Sequence, residues 1–122
     1  MKRAVIDLGT NTFNLLIGSV ENGKLNVTFA TKEAVLLGMG GINHGTIAED
    51  AMSRAKKTLS DFRDIAFERG AKSIIGIGTS AMRGASNAIE LTNWADEELG
   101  IAIQIVSGDK EAELIYKGVS LL

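Results

Sequence analysis

Ala4-Val5-Ile6-Asp7-Leu8, then Gly9-Thr10-Asn11-Thr12, then Phe13-Asn14-Leu15-Leu16-Ile17-Gly18-Ser19-Val20, reads as strand, turn and strand. Two apolar runs separated by four small polar residues predict a β-hairpin. One acid, Asp7, sits inside the first run, where a buried carboxylate is costly unless something compensates it. Outward from the hairpin, Glu21-Asn22-Gly23-Lys24 supplies a second turn, its Asn-Gly pair adopting positive φ at little cost. From Leu25 to Val35 the chain alternates, with Leu25, Val27 and Phe29 set against Asn26, Thr28 and Ala30, as a half-buried third strand does. Leu36-Leu37-Gly38-Met39-Gly40-Gly41 then breaks the pattern as a loop.

Beyond that loop the period changes. Thr46-Ile47-Ala48-Glu49 has the form of a capping box. Ile47, Ala51, Ala55, Leu59, Phe62 and Ala66 recur every three or four residues, predicting a helix with one buried stripe and Gly70 as its stop. Lys72 to Gly78, with Ile74, Ile75 and Ile77, reads as a fourth strand. A second helix spans about Asn87 to Leu99, with Ala88, Leu91, Ala95 and Leu99 inward and Gly100 ending it. Ile101 to Val106 is a fifth strand, and a last helix carries Ala112, Ile115, Tyr116 and Val119. The order βββαβαβα predicts an α/β fold of the ribonuclease-H-like kind. It has a mixed five-stranded sheet, helices packed on it, and a parallel last pair joined by a right-handed crossover.

The 122 residues suit one domain, and 45% hydrophobic content supplies a core. Thirteen basic against 15 acidic residues give a net charge of −2, which carries no footprint for duplex nucleic acid. No apolar run nears the roughly 18 residues of a membrane span. Asp7 interrupts the N-terminal apolar run, so no signal peptide is expected. The absence of cysteine excludes disulfides and thiolate metal sites. A cytoplasmic protein without a membrane partner is the expectation.

Three segments carry chemistry. In Asp7-Leu8-Gly9-Thr10-Asn11-Thr12, Gly9 lets backbone N–H groups approach a ligand, and Thr10, Asn11 and Thr12 add hydroxyl and amide donors. Such a nest suits a phosphate. Asp7 beside it suits Mg²⁺, which prefers oxygen ligands and keeps much of its water. An ordinary tight hairpin uses the same residue types. Gly78-Thr79-Ser80-Ala81-Met82-Arg83 leaves the fourth strand's carboxyl end, where α/β sheets bind ligands. There Thr79 and Ser80 are hydroxyl donors and Arg83 a phosphate clamp, or else Ser80 caps a helix and Arg83 is a solvated charge. In Ser107-Gly108-Asp109-Lys110-Glu111, acids in a helix's first turn are stabilised by about 0.3–1 kcal/mol, which accounts for Asp109. Glu111 fits that account and equally the role of a general base on water. No Walker or GxGxxG pattern occurs, His44 lies in a polar loop, and Trp94 and Tyr116 sit at packing spacing.

Together these stretches resemble the exopolyphosphatase/guanosine pentaphosphate phosphatase family. The match rests on Ile6-Asp7-Leu8-Gly9-Thr10-Asn11-Thr12-Phe13, on Gly78-Thr79-Ser80-Ala81-Met82-Arg83 with Asn87, and on Ile105-Val106-Ser107-Gly108 through Glu111-Ala112 to Ile115-Tyr116 and Gly118-Val119. The resemblance implies the first half of an actin-like ATPase domain, with residues 1–122 as one N-terminal subdomain of a longer chain. It implies Mg²⁺-dependent removal of the terminal phosphate from polyphosphate, guanosine pentaphosphate or both, by a full-length homodimer. Glu111 matches the water-activating glutamate, Arg83 the substrate-phosphate arginine, and Gly9, Thr10, Asn11 and Thr12 the first phosphate loop. Asp7 would lie near the magnesium. Lys110 stands where many members carry a second acid, and Leu36 and Met39 where many carry a basic residue and an acid. The family's second phosphate loop is absent, so the chain by itself is expected to be inactive. Rival readings are a kinase of the same superfamily, a non-catalytic sensor of guanosine tetra- or pentaphosphate, and an actin-type assembly domain.

Overall fold

A computed structural model of the chain describes residues 1–38 and 45–106, with residues 80 and 81 described by their backbone. The expected last helix, His44 and the Met39-Gly40-Gly41 part of the loop lie outside the described residues. Strands β1 (Lys2–Leu8), β2 (Thr12–Glu21) and β3 (Lys24–Ala34) are followed by α1 (Glu49–Glu68), β4 (Ala71–Gly78), α2 (Ser80–Gly84), α3 (Ala88–Trp94) and β5 (Ala102–Ile105). They build a five-stranded sheet in the order β3-β2-β1-β4-β5. The β1–β2 and β2–β3 pairs are antiparallel; β1–β4 and β4–β5 are parallel. The meander, the parallel last pair and the order of the five strands and of α1 and α3 are as expected from the sequence.

Strand alternation sets the two faces. Ala4, Ile6 and Leu8 of β1 and Phe13, Leu15 and Ile17 of β2 join the large core against α1 and α3. Val5 and Ile77 lie in a smaller cluster on the opposite face. Ala51, Ala55, Leu59, Phe62 and Ala66, the predicted stripe of α1, are all buried. Each fully buried residue of Leu or Phe size contributes about 1.5–3 kcal/mol of transfer free energy. Among the described residues no helix is long and apolar enough to cross a membrane.

Four details differ from the sequence reading. First, β3 does not keep Leu25, Val27 and Phe29 on one face. The register slips between Ile17 and Gly18, which pair with Phe29 and Val27. Thr28 is the extra residue of a β-bulge, its hydroxyl donating to the Ile17 carbonyl at 3.2 Å. Phe29 therefore packs with the large core and Leu25 with the small one, while Val27 is 45% exposed opposite a glycine.

Second, the Thr46–Glu49 box does not cap α1. The N-cap position is Ala48, without a side-chain bond. Asn87 reaches in from the start of α3 instead. Its Oδ1 accepts from the Ile47 N–H at 2.7 Å, and its Nδ2 donates to the Ile47 carbonyl at 3.0 Å. Third, a short helix, α2, fills Ser80–Gly84. Thr79 holds its N-cap position, so Ser80 is not the cap. Fourth, the helix predicted to run to Leu99 ends as α3 at Trp94 and continues as a wide π-helical turn over Ala95–Leu99. Gly100, at φ 67°, closes it as expected.

Candidate functional site

Register brings the first two chemistry-bearing segments, and the strand that leads to the third, to one edge. Leu8 pairs with Gly78 across β1–β4, and Gly78 with Ile105 across β4–β5. The chain therefore leaves three adjacent parallel strands at Gly9, Thr79 and Val106, all beyond their carboxyl ends. At β1 the sheet changes character, antiparallel to β2 on one side and parallel to β4 on the other. That is the kind of switch point where open α/β sheets place ligands.

Hydrogen bonds between the strand ends fix this edge. Both the backbone N–H and the hydroxyl of Thr79 donate to the Leu8 carbonyl, at 3.4 and 3.3 Å. The N–H of Val106 donates to the Gly78 carbonyl at 2.9 Å. Arg83, on α2, donates from Nη1 to the Val106 carbonyl, tying the second segment to the entry of the third. Met82 of the same short helix is fully buried against Gly78, where a Cβ would come within 2.9 Å of it. A side chain at Gly78 would push α2, and Arg83 with it, off the strand end.

The Gly9 turn is tight. The Gly9 N–H donates to the Thr12 carbonyl at 3.1 Å, and a Cβ on Gly9 would lie 2.8 Å from that oxygen. Because the obstacle is backbone within the turn itself, no rotamer relieves it. Gly9→Ala is expected to lower stability by about 1–3 kcal/mol, read as a fall in Tm. Thr10 and Thr12 are half-buried and Asn11 is exposed at the tip. Asp7, next to last in β1, is half-buried on the face away from α1, with one carboxylate oxygen shut off from solvent.

The turn is braced from outside. The Asn11 carbonyl accepts from both Val35 and Leu36 N–H groups, at 3.0 and 2.9 Å. The Val35 and Leu36 carbonyls in turn accept from Arg54 on α1, Nε at 2.8 Å and Nη2 at 3.2 Å. Arg54 Nη1 also pairs with Asp50 at 3.2 Å. That guanidinium, helped by the Ala51 N–H, holds the Asp50 carboxyl below the usual range.

Of the residues singled out from the sequence, Asp7, Gly9, Thr10, Asn11, Thr12, Thr79 and Arg83 stand on this edge or on the elements that leave it. Thr79 differs from expectation in use. Its hydroxyl hydrogen is engaged by the Leu8 carbonyl, so it serves as a strand tie rather than a phosphate donor. Arg83 spends one of its five N–H donors on Val106. The side chain of Ser80 and the whole of Glu111 lie outside the described residues. Arg54 escaped the sequence reading, because its partners are main-chain carbonyls that no residue pattern displays. Among the described residues no group of three or more His, Cys, Asp or Glu is placed to hold a metal ion.

Residues 16–121 match the model of the Ppx/GppA phosphatase family. A guanosine-5'-triphosphate,3'-diphosphate pyrophosphatase from Vibrio cholerae is 37% identical over 117 residues, covering 96% of this chain and 24% of that protein. An exopolyphosphatase of known structure from Cytophaga hutchinsonii superposes with a TM-score of 0.85 at 44% identity, over 98% of this chain and 38% of that one. A Ppx/GppA structure from Aquifex aeolicus, at 24% identity and TM-score 0.84, covers 95% of this chain and 38% of that one and shares the fold. The chain thus spans about a quarter of the length of that curated relative.

Proposed function

Since the chain belongs to the Ppx/GppA phosphatase family, we propose that the complete protein hydrolyses the terminal phosphoanhydride of inorganic polyphosphate, of guanosine pentaphosphate, or of both. One observation carries this reading. The strand register gathers the Gly9 turn, the Thr79–Arg83 segment and the entry to Ser107–Glu111 at one sheet edge. In the reaction the oxygen of water bonds to the terminal phosphorus. The bridging P–O bond breaks, and the shortened chain leaves with that oxygen. The Gly9–Thr12 turn orients the terminal phosphoryl group, Glu111 takes the water's proton, and Arg83 offsets charge building on the equatorial oxygens.

A carboxylate beside hydroxyls fits Mg²⁺ bound chiefly through water and substrate phosphates. Asp7, with Thr10 or Thr12, would hold it. The ion would supply charge neutralisation across the phosphates. We place the full-length enzyme in the cytoplasm, as a homodimer.

Incubating the full-length protein with long-chain polyphosphate, or with guanosine pentaphosphate, and Mg²⁺ tests the proposal. Inorganic phosphate is expected to appear without any acceptor molecule. Phosphate transfer that needs an acceptor, or tight binding without turnover, would replace hydrolysis with a kinase or a sensor.

A further inference from the structure

Arg54 links α1 to the Gly9 turn through a two-residue relay. Its planar fork grips two successive carbonyls, those of Val35 and Leu36. The N–H groups of the same two residues converge on one acceptor, the Asn11 carbonyl. Two donors on one carbonyl oxygen hold the Asn11–Thr12 peptide plane, because a trans peptide is rigid. Leu36 holds φ at 56°, a region a branched side chain rarely enters unless its surroundings impose it. The imposing contacts here are the Arg54 and Asn11 bonds on either side of it. Val35 and Leu37 anchor this corner, both fully buried. Arg54 itself stands on the long helix, its side chain 36% exposed, and points at main chain rather than at any part of the substrate edge.

We propose that Arg54 is a positioning residue, which sets the orientation of the Gly9–Thr12 turn through Val35 and Leu36 without touching substrate. The proposal rests on reading that turn as a phosphate site. Its structural half, the relay, is testable apart from that reading.

The test uses the full-length protein with Arg54→Ala and Arg54→Lys, and Lys57→Ala as a control. Lys57 pairs with Asp61 on the exposed side of the same helix. Amide exchange reads the relay. Arg54→Ala is expected to speed exchange at Val35 and Leu36 at least about tenfold, with the amides of the α1 interior unchanged. Phosphate release from polyphosphate reads the consequence. Displacing a binding loop by about 1 Å can cost 10²-fold, so kcat/KM is expected to fall about 10- to 100-fold. Arg54→Lys is expected to fail likewise, since one ammonium does not reproduce the fork. Added guanidinium ion is expected to restore part of the activity of Arg54→Ala and none of Lys57→Ala, which stays within about twofold of the parent. Unchanged exchange at Val35 and Leu36, or full activity in Arg54→Lys, overturns the proposal. A parent protein that releases no phosphate overturns the functional reading instead, and the exchange result still decides the relay.

Discussion

Replacing Glu111 with glutamine in the complete protein is expected to slow phosphate release about 10²–10⁴-fold while leaving KM within a few-fold. Glutamine keeps the shape and the acceptor oxygen of glutamate but is not a base at any pH that a protein survives. A water attacking phosphorus must lose a proton as the bond forms. Without a base that proton goes to solvent or to the phosphoryl oxygens, and the transition state rises. The ground state keeps the turn at Gly9 and the arginine at position 83, so binding is spared. A fall in kcat with constant KM is the mark of an interaction made in the transition state alone. Asp109→Asn provides the contrast. Asp109 reads as a first-turn acid at a helix start, worth about 0.3–1 kcal/mol of stability, and its loss is expected to leave kcat near the parent's. The pH profile gives an independent readout. If Glu111 is the base, the parent's rate is expected to fall on the acid side, and Glu111→Gln is expected to flatten that limb. A parental rate in Glu111→Gln would remove Glu111 from the mechanism.

How much of this was visible in the residues follows from where each signal resides. Ile74, Ile75 and Ile77, the α1 stripe and the stops at Gly70 and Gly100 are local patterns, and each produced the element expected of it. Features made by two strands or two distant segments were not legible. The bulge at Thr28 exists because β2 brings Gly18 against it, where a Cβ would lie 2.7 Å from the Asn26 carbonyl. The alternation of β3 alone contains no trace of that. Thr46–Glu49 reads as a cap because four residues suffice to make one, yet Asn87, forty positions away, bonds both polar groups of Ile47. A tertiary partner of fixed geometry displaced the local option. The same holds at the site. Gly9 and Arg83 could be singled out by type and spacing, whereas the tie from Thr79 to Leu8 and the Arg54 relay depend on main-chain carbonyls. The bond network that shapes a site is therefore less readable than the side chains it presents.

Arg83→Ala in the complete protein is expected to lower kcat about 10²–10³-fold, the loss typical of removing one preorganised donor to developing charge. The residue has one observed contact and one proposed role, and they predict different things. Its Nη1 holds the Val106 carbonyl. If that tether were its whole role, truncation would loosen the end of β5. Exchange at Val106 would then rise and Tm would fall, with kcat largely retained. A large kinetic loss at nearly constant Tm would therefore assign the effect to the phosphoryl group. Arg83→Lys sharpens the distinction. A lysine keeps the charge and donates one bond at a time, so it suffices for a tether to one carbonyl. It does not reproduce a fork engaging two phosphoryl oxygens. Recovery of kcat in Arg83→Lys would favour the tether; continued loss beside a normal Tm would favour the clamp. Near-parental kcat in Arg83→Ala would exclude Arg83 from the chemistry and leave it as the strut between α2 and β5.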